Sequence, residues 1–100
     1  MYRLRTVIED GKILVNSAQY AYAENKLTYS VLDSAFDVRI RVNKADIDVI
    51  KTKFHEDCIA IAPYYVWTFN PDEAKEALIS RVKSQIQERI DYVNTIKHLI

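Results

Sequence analysis

The final stretch of the chain predicts one long helix, and this helix constrains the fold more than any other feature. Asn70 is a favourable N-cap residue, Pro71 suits the first helical position, and Glu73 stands where a capping box places its carboxylate. Neither Pro nor Gly interrupts the segment that follows. Apolar residues recur there every three or four positions, at Ile79, Val82, Ile86, Ile90, Val93, Ile96 and Ile100. The sequence therefore predicts a continuous amphipathic helix over residues 70–100.

The predicted helix is longer than the body on which it would pack. A helix of this length spans roughly 45 Å at 1.5 Å per residue, whereas a compact body formed by residues 1–69 is about 28 Å across. Leaving the far end of the stripe in water would forgo several kcal/mol at ~25 cal/mol per Å². We therefore predict a homodimer through Ile86, Ile90, Val93, Ile96 and Ile100. The alternative is a helix packed wholly across its own sheet, with a frayed last turn.

The spacing of the stripe leaves the orientation of the two copies open. Ile79, Ile86, Val93 and Ile100 fall seven residues apart, and β-branched residues at such positions favour two-stranded coiled coils when the helices are parallel. Arg89, however, occupies the position where the next apolar residue of a strict heptad would fall. Ile90 takes the place of that apolar residue, which indicates a broader stripe than that of a regular coiled coil.

Alternating residues before the helix predict an antiparallel meander of four consecutive strands. The expected strands cover residues 2–9, 12–23, 27–32 and 35–42, with a bend in the second near Asn16 and Ser17. Asp10-Gly11, which contains the only glycine of the chain, is a strong hairpin signal between the first two. A fifth strand is expected over residues 58–69. It should lie at an edge or carry a bulge, because Pro63 cannot donate a ladder hydrogen bond.

A short helix is expected between the fourth and fifth strands, with Asn43 as its cap. Ile47, Ile50 and Phe54 would share one face of this helix. The competing interpretation is a strand over residues 46–53, since Ile47 and Val49 alternate with acidic residues. The whole chain, residues 1–100, then forms one α+β domain: a five-stranded, mostly antiparallel sheet covered on one face by a short helix and a long C-terminal helix.

Composition narrows the classes of protein that the chain can represent. It is 49% hydrophobic with a formal net charge of zero, which is typical of a globular protein and argues against one that coats DNA or anionic membranes. No apolar run approaches the ~18 residues of a membrane span, and residues 1–5 lack an apolar signal core. We therefore expect a cytoplasmic protein with no membrane partner. Abundant Ile, Tyr, Lys and Asn suit an AT-rich bacterial or phage genome.

Two surfaces are candidates for binding a partner. In the fifth strand, Trp67 and Phe69 are expected to fill the core under the long helix, whereas Tyr64 and Tyr65 are expected to be exposed anchors for an unidentified protein. The second candidate is a basic sheet face with aromatic residues, a combination that binds single-stranded nucleic acid. Its residues would be Arg3, Arg5, Arg39, Arg41, Tyr20 and Tyr22. This face requires the first and fourth strands to be neighbours; otherwise it is an ordinary solvated surface.

No residue pattern indicates an enzyme, a cofactor or a metal. His55 and Cys58 lie in one loop, but zinc needs four ligands and no second pair is present in the sequence. A Gly-rich phosphate loop and the common hydrolase and metalloprotease motifs are also absent from the sequence. The sequence thus predicts a non-enzymatic homodimeric interaction module, a regulator or inhibitor of a larger protein. Nucleic-acid binding is the alternative.

Overall fold

A computed structural model describes residues 1–52 and 64–99 and shows antiparallel sheets combined with one long C-terminal helix. The α+β class is therefore confirmed. The described strands and the helix are β1 (Tyr2–Glu9), β2 (Lys12–Gln19), β3 (Ala21–Glu24), β4 (Thr28–Asp33), β5 (Val38–Asn43), β6 (Lys51–Thr52), β7 (Tyr64–Thr68) and α1 (Pro71–Leu99).

The described strands form two sheets, and not the single five-stranded sheet that the sequence predicts. Sheet 1 has the order β2-β1-β7-β6, and sheet 2 has the order β3-β4-β5. The four-strand meander is therefore wrong: β1 and β2 form a hairpin in one sheet, and β3, β4 and β5 form a meander in the other. Every neighbouring pair of strands is antiparallel.

The predicted second strand is divided at Tyr20, where the chain passes from sheet 1 to sheet 2. The Tyr20 amide donates a 2.8 Å hydrogen bond to the Met1 carbonyl, and the Tyr20 ring packs 5.6 Å from the ring of Trp67. β2 pairs with β1 without interruption from Lys12 to Gln19. The bend expected near Asn16 is therefore four residues too early, because the contacts that create it come from distant parts of the chain.

Two further local predictions are corrected. Residues 35–37 form a turn before β5, because the Asp33 carboxylate accepts a 3.2 Å hydrogen bond from the Ala35 amide and Asp37 adopts a φ of 50°. The predicted short helix is only a single 3-10 turn, Lys44–Asp46, in which the Asn43 side chain makes no capping hydrogen bond.

The residues after this turn adopt an extended conformation and pair with β7 of sheet 1. Ile47 bridges to Trp67, and β6 pairs with β7, so the competing strand interpretation is correct for Lys51 and Thr52. β7 lies between β1 and β6, so its described residues are not at an edge. The alternative of a bulge at Pro63 is not tested by the described residues. Phe54, Pro63 and the first part of the predicted fifth strand lie outside the described residues.

Sheet 1 is the middle layer of the fold, with hydrophobic side chains buried on both of its faces. On one face α1 covers a core formed by Leu4, Tyr64, Val66, Ala74, Leu78 and Val82. On the other face Trp67 packs with Val31 and Val42 of sheet 2 and with Met1. The face predicted to be uncovered is therefore partly buried by the second sheet.

The start of α1 is fixed to sheet 1 by polar contacts. The Asn70 side chain accepts a 3.4 Å hydrogen bond from the Glu73 amide, which confirms the predicted N-cap. The buried Thr68 hydroxyl accepts from the Asn70 amide at 2.9 Å and donates to the Asp48 carboxylate at 2.6 Å. In the described part of the chain, no helix is both long and apolar enough to cross a membrane.

Gly11 tests the predicted β1–β2 turn, which the structure contains. Its φ is +74°, and a Cβ at this position would meet no atom within 4 Å. Gly11→Ala should therefore lower the free energy of unfolding by about 1 kcal/mol through backbone strain alone. Gly11→Asn is the matched control and should cost less, because Asn tolerates this conformation. Urea unfolding at fixed protein concentration measures both, and equal losses for Ala and Asn would contradict the explanation.

Candidate interaction surface on the C-terminal helix

The first half of α1 is held by the body of the protein. Ala74, Leu78 and Val82 are buried against sheet 1, and Ile79 and Ile86 are partly buried. Of the buried residues, the predicted stripe includes Val82 but omits Ala74 and Leu78. Leu78 lies four residues before Val82 and Ala74 four residues before Leu78, and this helical spacing was the signal that could have identified them.

The second half of α1 projects beyond the body. Every residue from 87 to 98 is exposed, and the molecule measures 56 × 24 × 24 Å. Among residues 87–98, the aliphatic side chains are Ile90, 48% exposed, Val93, 48%, and Ile96, 37%. The predicted overhang is therefore present, and the alternative of a helix packed wholly across its own sheet is wrong. We call Ile86, Ile90, Val93 and Ile96 the distal stripe.

The distal stripe continues the buried stripe on the same side of the helix. Val93 follows Val82 by eleven residues, which is about three helical turns. Three residues of the stripe, Ile86, Ile90 and Val93, line a shallow, open depression together with Arg89, Asn94 and Lys97. Cationic side chains thus border the apolar surface, whereas Glu88 and Asp91 lie towards the opposite side of the helix by their spacing.

Local interactions support the projecting half only weakly. The Gln87 side chain donates a 3.0 Å hydrogen bond to the Asp91 carboxylate, and the Thr95 hydroxyl donates to the Asp91 carbonyl at 2.9 Å. Isolated helices shorter than about 12–15 residues are marginal in water. A helix segment of this length with an exposed apolar stripe is therefore stabilised chiefly when another surface packs on it.

The two tyrosines predicted as exposed anchors occupy different environments. Tyr64 is only 6% exposed and belongs to the core under α1, so its predicted exposure is wrong. Its burial follows from pairing with β1, since the Tyr64 amide donates a 3.0 Å hydrogen bond to the Thr6 hydroxyl. Tyr65, on the opposite face of sheet 1, is half-buried against sheet 2.

An exposed aromatic cluster lies elsewhere, where the two sheets meet. The rings of Tyr22, Tyr29 and Phe69 contact one another with centroids 5.3 to 5.5 Å apart. Phe69 is 43% exposed and Tyr22 is 46% exposed. Phe69 therefore does not fill the core under α1, and Trp67 packs on the opposite face of sheet 1. Sequence alone gave no signal that joins residues so far apart.

The four arginines do not form the single basic face on which nucleic-acid binding was predicted to depend. β1 and β5 belong to different sheets. Arg39 and Arg41 alternate with Ile40 and Val42, which point into the core between the sheets, so both arginines lie on the outer face of sheet 2.

Arg3 is occupied by structural contacts. It donates a 3.0 Å hydrogen bond to the Tyr20 hydroxyl, and its guanidinium lies 5.4 Å from the ring centroids of both Tyr20 and Trp67. Arg5, two residues along the same strand, is exposed. Of the predicted nucleic-acid site, Arg3 and Tyr20 are thus in contact, whereas Arg39 and Arg41 lie apart from them on the outer face of sheet 2.

Within residues 1–52 and 64–99, no group of three or more His, Cys, Asp or Glu side chains could hold a metal ion. His55 and Cys58 lie outside these residues. No protein-family model matches the chain, and neither a curated protein nor a solved structure matches it. Function is therefore inferred from the residues and their arrangement alone.

Proposed function

We propose that the protein is a non-enzymatic interaction module that works as a homodimer joined through the distal half of α1. The observation that carries this proposal is the distal stripe, of which Ile90, Val93 and Ile96 are 37 to 48% exposed on a helix that projects from the body. Contiguous apolar surface that remains exposed on one chain typically marks an interaction site.

The energy available from the distal stripe is sufficient for a modest dimer. Fully burying one branched apolar side chain contributes about 1.5–3 kcal/mol. Ile90, Val93 and Ile96 are each a little less than half exposed, so burying the exposed part of each would contribute close to half of that energy. Pairing two stripes therefore supplies several kcal/mol. Association also orders the projecting half of α1, which consumes part of this energy. We expect a weak dimer, because a net gain of about 5 kcal/mol corresponds to a dissociation constant on the order of 100 μM.

A second copy is the occupant that the stripe itself supports. Most soluble homo-oligomers are twofold dimers in which one patch contacts the same patch of the other copy. The distal stripe meets that requirement because it is a continuous row of β-branched residues, able to pack against an identical row. Each copy then buries the exposed apolar surface of the other, and no third protein is needed to cover it.

We further propose that the aromatic cluster of Tyr22, Tyr29 and Phe69 contacts the larger protein that the dimer regulates. Exposed Tyr and Phe rings are frequent anchors of interfaces. The Lys44 ammonium lies 5.3 Å from the Tyr29 centroid and is paired with Glu24 at 2.6 Å. A protein captured from the source cells by the wild type should be lost with Tyr22→Ser and Phe69→Ser combined. Phe36→Ser, 77% exposed at a turn away from the cluster, is the control. Unchanged capture by the double variant would contradict this role.

The homodimer is tested by placing charge in the distal stripe. Val93→Glu and Ile96→Glu together should weaken association at least 100-fold, because a carboxylate buried in an apolar seam costs several kcal/mol. Sedimentation velocity over a range of protein concentrations measures the dissociation constant. Circular dichroism on the same samples reports whether the body remains folded.

The matched control adds the same charge to the opposite side of the helix. Ser84 and Thr95 are exposed and lie about half a turn away from Val82 and Val93, so Ser84→Glu with Thr95→Glu should leave the dimer intact. A wild type that stays monomeric at high micromolar concentration would contradict the proposal. Equal dissociation of both double variants would also contradict it, since net charge would then be the cause.

A further inference from the structure

The geometry points to an antiparallel arrangement of the two helices in the proposed dimer. We infer that Val93 lies near the twofold axis and that each projecting helix half extends towards the body of the other copy. This inference rests on the proposed homodimer. It adds the orientation of the copies, which the heptad spacing of the sequence left open.

The argument for this orientation begins with the direction of α1 over sheet 1. β1 and β7 pair with Tyr2 opposite Thr68, and α1 begins three residues after Thr68, at Pro71. The helix and β1 therefore start at the same end of the sheet. The eight residues of β1 span about 26 Å. α1 covers that distance by about residue 88, which is where its side chains become exposed. The projecting half therefore leaves the body at the β1–β2 turn.

A parallel pair of helices would collide with the protein's own sheet. The distal stripe lies on the side of α1 that also faces sheet 1, because Val82 and Val93 are about three turns apart. A second helix packed on the stripe would lie about 8–10 Å from the axis of α1. If it ran in the same direction, its first half would occupy the space that sheet 1 already fills.

An antiparallel pair avoids this collision. The first half of the second helix then extends away from the first body, and it carries its own sheet beyond the end of the first helix. Each body consequently lies in line with the helix of the other copy. The C-terminal end of each helix points at the partner's β1–β2 turn, at Asp10 and Gly11.

Charge also favours this arrangement. Arg89 would face the partner's Arg89 in a parallel pair and the partner's Lys97 in the antiparallel pair, so the cations that border the stripe do not distinguish the two orientations. In the antiparallel pair the end of each helix that carries Lys97 approaches the turn that contains Glu9 and Asp10. Both acids are exposed, and neither forms a salt bridge with another described residue. The turn therefore offers negative charge where the partner's helix brings positive charge.

Disulfide cross-linking distinguishes the two orientations. In a Cys58→Ser background, Ile90→Cys and Ile96→Cys are made as separate proteins, one of them with a mass tag. Because both positions are three residues from Val93, Ile90 faces the partner's Ile96 in the antiparallel dimer. Mixing the two variants under mild oxidation should give at least five times more mixed disulfide than disulfide between identical copies. Identical positions would be about 9 Å apart along the axis, too far for a disulfide.

The possible outcomes separate this inference from the homodimer itself. A wild type that is monomeric by sedimentation would overturn the proposed function. A dimer in which the Ile90→Cys and Ile96→Cys variants each cross-link to themselves would overturn only the antiparallel orientation. Val93→Cys is the positive control. In both orientations its cysteine should form a disulfide with the same cysteine of the second copy. A dimer in which Val93→Cys fails to cross-link would place the axis elsewhere and also overturn the inference.

Discussion

The packing of the first half of α1 on sheet 1 determines the rest of the structure. Ala74, Leu78 and Val82 are buried against Leu4 and Val66, and the Asn70 cap fixes where the helix begins. These contacts set the direction in which the remaining turns of α1 run. The distal stripe projects past the β1–β2 turn because sheet 1 ends before the helix does. The proposed dimer surface is thus exposed because the helix is longer than the sheet that covers it.

The second face of sheet 1 explains which sequence-predicted binding residues are available. Trp67 joins sheet 1 to sheet 2 and is only 8% exposed, and Arg3 lies against its ring. The residues predicted to bind nucleic acid are therefore separated. Arg3 contacts the rings of Tyr20 and Trp67, whereas Arg39 and Arg41 lie on the outer face of sheet 2. The same junction of the two sheets creates the exposed cluster of Tyr22, Tyr29 and Phe69. The proposed contact with a partner protein is accordingly assigned to this cluster instead of to Tyr64.

Features set by neighbouring residues could be predicted from the sequence. The Asn70 cap, the Asp10-Gly11 hairpin and the helix of α1 each depend on residues within a few positions of one another, and all three are present. The overhang followed because helix length and body size can both be estimated from residue numbers. The distal stripe could therefore be predicted from the sequence as a surface that lies beyond the body.

Features set by distant contacts could not be predicted. Tyr20 breaks a long strand because it contacts Met1 and Trp67, and no pattern within residues 12–23 reveals those partners. Tyr64 is buried because β7 pairs with β1 instead of lying at an edge. Strand order was the missing information in both cases. It also decided that Arg3 and Arg39 belong to different layers.

The central claim is that the projecting half of α1 is completed by a second copy. Hydrogen exchange of its backbone amides, measured above and below the concentration at which the protein dimerises, tests this claim most directly. The account predicts protection of residues 90–98 at high concentration and fast exchange at low concentration, while residues 78–86 remain protected at both. Fast exchange of residues 90–98 at every concentration would contradict the account. Equal protection at every concentration would contradict it as well, because the helix would then need no second copy.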